Sequence, residues 1–262
     1  MDSVNKTLYI PLRGKAYVSR RGLYLKDEKA EQIWEAEGFE LKGKAASKWL
    51  AYNMGMRAAV FDRWTREALE QQPNAMVLHI GCGLDSRCLR VAAGDRLWYD
   101  IDFPDVIRER QRYFRETENY RMLAADMREN AWRRQVPSGK QAIVVMEGVS
   151  MYLRPEELQA LLNALREQFS QVRLLMDVYT SFAAKATKYK NPINEVGVTN
   201  VYGMDDPQPL AQKTGYRYVG EHSLTPPDLI AQLQPGERVI FSNLFAGKLA
   251  KKIYRLHELE TK

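Results

Sequence analysis

The stretch Met76-Val77-Leu78-His79-Ile80-Gly81-Cys82-Gly83-Leu84-Asp85-Ser86-Arg87 decides how the rest of the chain reads. Its first five residues form the short apolar run of a strand buried on both faces. Two glycines follow at once, at 81 and 83. Lacking Cβ, they permit a tight turn and let a ligand approach the backbone. In an open parallel sheet, ligands bind beyond the carboxyl ends of the strands, where this turn would lie.

The pattern repeats downstream. Residues 97–102 (Leu-Trp-Tyr-Asp-Ile-Asp) predict a second strand, stopped by Phe103-Pro104. Residues 120–125 predict a third ending at Asp126, residues 142–146 a fourth ending at Glu147, and residues 172–178 a fifth. Between the last two runs, Pro155 opens an amphipathic helix. Glu156 and Glu157 suit its positive end, and Leu158, Leu161, Leu162, Leu165 and Phe169 form its stripe. Residues 216–219 and 238–245 predict two more strands. Upstream, residues 29–37 and 47–71 predict helices, the second with Trp49, Tyr52, Met56, Val60 and Trp64 at helical spacing. Strand–helix alternation argues for an α/β fold, a doubly wound and mostly parallel sheet covered on both faces. The expected organisation is a helical cap or lid over residues 1–73, belonging to the same domain as a core over residues 74–262. An irregular, substrate-side insertion is expected near residues 181–212.

Composition narrows the classes. The 262 residues carry 39 Lys+Arg against 33 Asp+Glu, a net charge of +6, with 45% apolar residues. Disorder, a fibre and a disulfide-stapled miniprotein are excluded. No apolar run approaches the roughly 18 residues of a membrane helix, and no signal peptide is expected at the N-terminus. Eight arginines between 108 and 134 are interleaved with five acids, which reads as a solvated face rather than a nucleic-acid groove. Cys82 and Cys88 lack metal-ligand spacing, and His79, His222 and His257 are scattered, so no metal site is expected. The two thiols read as reduced and the compartment as cytoplasmic. His79, inside the first strand, reads as a satisfied interior histidine. Oligomeric state is left open.

Conspicuous residues fall at each strand end: Gly81 and Gly83, Asp102, Asp126, Glu147. An acid about 20 residues beyond the glycines, Asp102 with Asp100 in reserve, would accept hydrogen bonds from a ribose diol. A nicotinamide site wants a third glycine under the pyrophosphate, and Ser86 stands there. S-adenosylmethionine has no phosphate and fits better. Four ordered blocks carry a resemblance: residues 77–87, Trp98 to Pro104, Ala125-Asp126-Met127-Arg128, and Met146-Glu147-Gly148-Val149-Ser150-Met151-Tyr152-Leu153. With Gly14 to Ser19 and Met56 to Asp62 upstream, residues 13–180 resemble the leucine carboxyl methyltransferase family, which includes polyketide O-methyltransferases of the tetracenomycin type. His79 and Asp100 depart from the usual Asn and Glu, and Asn130 from a usual acid.

The resemblance implies a Rossmann-like class I methyltransferase with a seven-stranded sheet and S-adenosylmethionine as cofactor. It implies that Lys15 and Arg57 meet the cofactor's carboxylate and that Gly81 and Gly83 line its methionine and ribose. Asp102 would hold the ribose, and Asp126 with the Met127 backbone would read the adenine. Glu147 would lie near the cofactor's amino group and the reaction centre. Glu147 and Tyr152 are the catalytic candidates, Tyr152 as a brace for the loop or as core packing. A carboxylate is already ionised at neutral pH and needs positioning more than a base, whereas a phenol needs a proton acceptor. The expected reaction is therefore O-methylation of a small-molecule acid or, second, of a phenol or alcohol. A protein C-terminal carboxylate is the alternative. A nucleic-acid methyltransferase would place Asp/Asn-Pro-Pro-aromatic after the fourth strand, where Glu147-Gly148-Val149-Ser150 stands. A non-catalytic binding module and a nicotinamide oxidoreductase are the remaining rivals.

Overall fold

The computed structural model describes residues 3–38, 40–186 and 201–261. Three helices come first: α1 (Ser3–Arg20), α2 (Glu28–Glu37) and α3 (Lys48–Gln71). Asp27 caps α2 by accepting from Ala30 N at 2.9 Å, and Gly38 ends it in the left-handed conformation. Ser47 caps α3.

Strand–helix alternation follows. β1 (Met76–Ile80) leads through α4 (Arg87–Arg90) to β2 (Trp98–Asp102), then α5 (Pro104–Arg110) and β3 (Tyr120–Ala124). β4 (Gln141–Met146) is joined by α6 (Pro155–Gln168) to β5 (Gln171–Tyr179). Next come α7 (Ser181–Ala186), α8 (Gln208–Thr214), β6 (Tyr216–His222), α9 (Pro227–Ile230), α10 (Pro235–Leu244), α11 (Gly247–Lys251) and β7 (Tyr254–Thr261). The seven strands form one sheet in the order β3-β2-β1-β4-β5-β7-β6. β1 to β5 run parallel, and β7 lies antiparallel between β5 and β6. The strand order reverses between β1 and β4, so a crevice opens beyond their carboxyl ends.

The central strands β1 and β4 feed two cores because successive side chains point to opposite faces. Met76, Leu78 and Ile80 pack with Leu158, Leu162 and Leu165 of α6. Val77, Ile143 and Val145 pack on the other face with Met56, Val60 and Trp64 of α3. The leading helices thus share a core with the sheet, and α3 ends up over the crevice.

One expected strand is a helix. Residues 238–244 fall in α10, which Pro235 opens, Glu237 supports at its first turn and Phe245 caps. Helical spacing buries Phe241 and leaves Val239 and Ile240 exposed. The antiparallel strand is instead β7, whose apolar signal is broken by Arg255, His257, Glu258 and Glu260. Glu258 is tolerated inside because Arg173 (2.6 Å) and His222 (2.7 Å) pair with it. Of the expected insertion near residues 181–212, residues 187–200 lie outside the described residues. Among the described residues no helix is long and apolar enough to cross a membrane, and both cysteines are free.

Candidate active site

A cavity of about 640 Å³ opens at the crevice, between the ends of β1, β4 and β5 and the helices α1 and α3. Gly81 and Gly83, directly after β1, both take positive φ (+67° and +52°). A Cβ on Gly81 would stand 2.2 Å from Val149 Cγ2. The loops after β1 and β4 therefore approach more closely than any side chain at 81 allows, which leaves bare backbone facing the cavity.

Lys15 from α1 and Arg57 from α3 reach the same cavity, as do Glu147 and Tyr152 beyond β4. Arg57 is 5% exposed, too buried to be left unpaired. Its Nε donates to Glu147 Oε1 at 2.9 Å, and its Nη1 lies 2.6 Å from the Tyr254 hydroxyl and 3.3 Å from Asp177 Oδ2. Glu147 is clasped from the other side by Arg87, whose Nε donates to Asp62 at 2.8 Å. Burial pushes the Glu147 carboxyl up, but the charges of Arg57, Arg87 and Lys15 pull it further down, to about 2. Lys15 Nζ sits 3.0 Å from Asp85. Arg90 extends the network to Asp27, Asp62 and Asp85. The result is a continuous buried lattice of guanidinium and carboxylate groups from the α2 cap to the cavity floor.

His79 is sealed in this lattice. Its Nδ1 lies 3.0 Å from Asp100 Oδ1, and its Nε2 lies 2.9 Å from Arg87 Nη1. A guanidinium only donates, so Nε2 accepts and Nδ1 carries the proton. Burial lowers its pKa and keeps it neutral. It is the satisfied interior histidine expected.

Asp100 and Asp102 have different fates. Asp100 is fully buried and is taken up by Arg110, His79, Trp98 and Tyr120. Asp102 accepts from Gly83 N and Phe103 N, each at 2.8 Å. Burial raises its pKa to about 6 despite those bonds. Asp177 is likewise raised to about 6, mainly by burial, while holding Gly148 N at 2.7 Å and the Tyr254 hydroxyl. Asp126 lies beyond the end of β3, outside the cavity lining, and is gripped by Arg128 at 2.5–3.0 Å; Met127 is in the core. Tyr152 is 36% exposed at the cavity wall.

The structure thus brings together Lys15, Arg57, Gly81, Gly83, Glu147 and Tyr152, sets Asp102 against the glycine turn, and leaves Asp126 and Met127 further along the sheet. Arg87, Asp62, Asp85, Arg90, Asp177 and Tyr254 had no predicted role. Asp85 and Arg87 lie inside the motif that defined the fold, so their presence was the available signal. Among the described residues no group of three metal-ligating side chains occurs.

An open sheet of this order, with a glycine turn after β1 and an acid at the end of β2, is the class I methyltransferase architecture. The fold is shared with solved crystal structures, of which two serve as examples. A Thermobifida fusca protein superposes with TM-score 0.56 at 15% identity over 95% of this chain and 94% of its own. Magnesium protoporphyrin IX methyltransferase from Synechocystis, solved with S-adenosylhomocysteine, gives 0.52 at 13% over 95% and 98%. The sequence is more specific: residues 11–166, over half the chain, match the leucine carboxyl methyltransferase model, and the protein belongs to that family. It is an S-adenosylmethionine-dependent O-methyltransferase. Among its relatives, the tetracenomycin polyketide synthesis O-methyltransferase TcmP of Streptomyces glaucescens is 29% identical over 91% of this chain and 89% of its own. The S-adenosyl-L-methionine-dependent methyltransferase dpfgK of Gibberella zeae is 31% identical over 59% of this chain and 57% of its own.

Proposed function

We propose that the enzyme methylates the carboxylate of a small, largely apolar acid. The observation that carries this reading is the state of Glu147. It is the one carboxylate lining the cavity near its centre that sequence offered as a base, and two guanidiniums hold it ionised with its pKa near 2. A carboxylate so stabilised is a poor proton acceptor. An acceptor that arrives already ionised needs no acceptor for its proton.

S-adenosylmethionine, when bound, supplies a methyl already activated on a sulfonium. The residues fit such a ligand: bare glycine backbone faces the cavity, and an Arg–Glu pair complements the α-carboxylate and α-ammonium of an amino acid. Arg57 and Lys15 would take the carboxylate, Glu147 the ammonium, and the Gly81 and Gly83 backbone the methionine and ribose. Asp102 would take the ribose hydroxyls, and Asp126 with Met127 N would read the adenine. Tyr152 would wall the acceptor side. Residues 1–73 would cover the site as a lid, with Leu8, Ile10 and Pro11 excluding water from the reacting centre. Two free cysteines suit a reducing, cytoplasmic setting.

The test is the pH dependence of kcat/KM on matched aromatic acids and phenols. Acids are expected to react with a flat profile between pH 6 and 9. Turnover confined to phenols, rising tenfold per pH unit, would refute the reading.

A further inference from the structure

Three cations line the cavity: Lys15, Arg57 and Lys252. Two are committed, Lys15 to Asp85 and Arg57 to Glu147 and Asp177. Lys252 pairs with no carboxylate among the described residues. It precedes β7, and its backbone is pinned to the carboxyl end of β5. Thr180 Oγ1 donates to Lys252 O at 2.7 Å, and Thr180 N donates to Ile253 O at 3.1 Å. The neighbouring wall is apolar and unusually exposed, with Phe182 at 68%, Leu244 at 61% and Ile253 at 51%. Tyr179 stands beside it, packed edge-on against Tyr254 at 5.3 Å. From residue 247 to 257 the chain holds Lys248, Lys251, Lys252 and Arg255 and no acid. Of these, Lys251 is drawn away to Glu221.

An exposed ammonium with no carboxylate partner among the described residues, on a backbone held to β5 at the mouth of an apolar and aromatic cavity, is a recognition element for a remote negative charge. We propose that Lys252 forms an anion subsite that selects aromatic acids bearing a second anionic group, distant from the carboxylate that is methylated. The inference rests on the carboxylate-acceptor reading for which end reacts, but the binding preference stands apart from it. An uncharged residue of similar length at 252 would leave the apolar walls intact and remove only the charge complement.

The experiment is calorimetric titration of the full-length enzyme, saturated with S-adenosylhomocysteine, with biphenyl monocarboxylate and with biphenyl para,para-dicarboxylate. The wild type is expected to bind the diacid about fivefold more tightly, the size of a partly exposed ion pair. Lys252→Met should erase that preference while leaving affinity for S-adenosylhomocysteine and for the monoacid unchanged. Lys252→Arg should retain it, and Lys252→Glu should invert it. Absence of a preference in the wild type, its persistence in Lys252→Met, or failure of both acids to bind would overturn the proposal. Labelled methyl transfer on the same samples separates the two ideas. A Lys252-dependent preference without ester formation upholds the subsite and sinks the carboxylate reading. Ester formation without the preference sinks the subsite alone.

Discussion

Asp102→Asn should make the protein more stable at neutral pH while weakening its hold on the cofactor. The Asp102 carboxyl titrates near 6 in the fold against an ordinary 3.8, because burial outweighs the N–H bonds from Gly83 and Phe103. The full difference corresponds to about 3 kcal/mol of penalty on the ionised form. Partial exposure reduces this to about 2 kcal/mol. The amide keeps one acceptor and loses one hydrogen bond, a cost of about 1 kcal/mol. The net expectation is a gain of about 1 kcal/mol at pH 7.5, read from urea denaturation. The sign fixes the pH dependence. The folded pKa lies above the unfolded one, so the penalty is present above pH 6 and fades as pH falls from about 6 towards 3.8. The advantage of the variant should therefore vanish by pH 5, while its affinity for S-adenosylhomocysteine falls at least tenfold at pH 7.5. A loss of stability exceeding about 1 kcal/mol at pH 7.5, or a difference that does not change with pH, would refute the reasoning.

Glu147→Gln removes the charge shared by Arg57 and Arg87 and turns one acceptor into a donor facing a guanidinium, and should cost about 3–5 kcal/mol in urea. Glu147 has a folded pKa of about 2, below its ordinary 4.5, so its contribution is present above pH 4.5 and is lost as pH falls towards 2. The variant should show a correspondingly shallower acid limb. Arg57→Ala should abolish S-adenosylhomocysteine binding in calorimetry, and unchanged affinity would remove Arg57 from the site. Gly81→Ala adds a Cβ 2.2 Å from Val149 Cγ2 at φ +67° and should cost about 2 kcal/mol or more. Val149→Ala should restore part of that loss in the double variant, as measured by thermal melting.

Much of this molecule was legible because its signals are local. β1 and β4 are short apolar runs whose ends, at Gly81 and Glu147, lie at the crevice, while β2 and β3 mix apolar with polar residues and β3 ends further along the sheet. Lys15, Arg57, the glycines and Glu147 were found through ordered motifs, and the fold brings them to one cavity. The C-terminal part was harder. An apolar run at Val239 to Phe241 suited a strand as well as a helix, and only Pro235 and Glu237 favoured the helix. β7 was hidden because its buried Glu258 is made tolerable by Arg173 and His222, partners 85 and 36 residues away. The same physics concealed the ion lattice. Arg87, Asp62 and Asp177 read as ordinary charges until the fold buries them, Arg87 beside Asp62 and Asp177 beside Arg57.

The proposed methyl transfer from S-adenosylmethionine to a carboxylate oxygen is tested most directly by the chemical lability of the product. Enzyme, methyl-labelled cofactor and an equimolar mixture of aromatic acids and phenols are incubated, and the labelled product is treated with mild base. Label released as methanol, the signature of an ester, is the expected result. Label retained in a base-stable ether would contradict it.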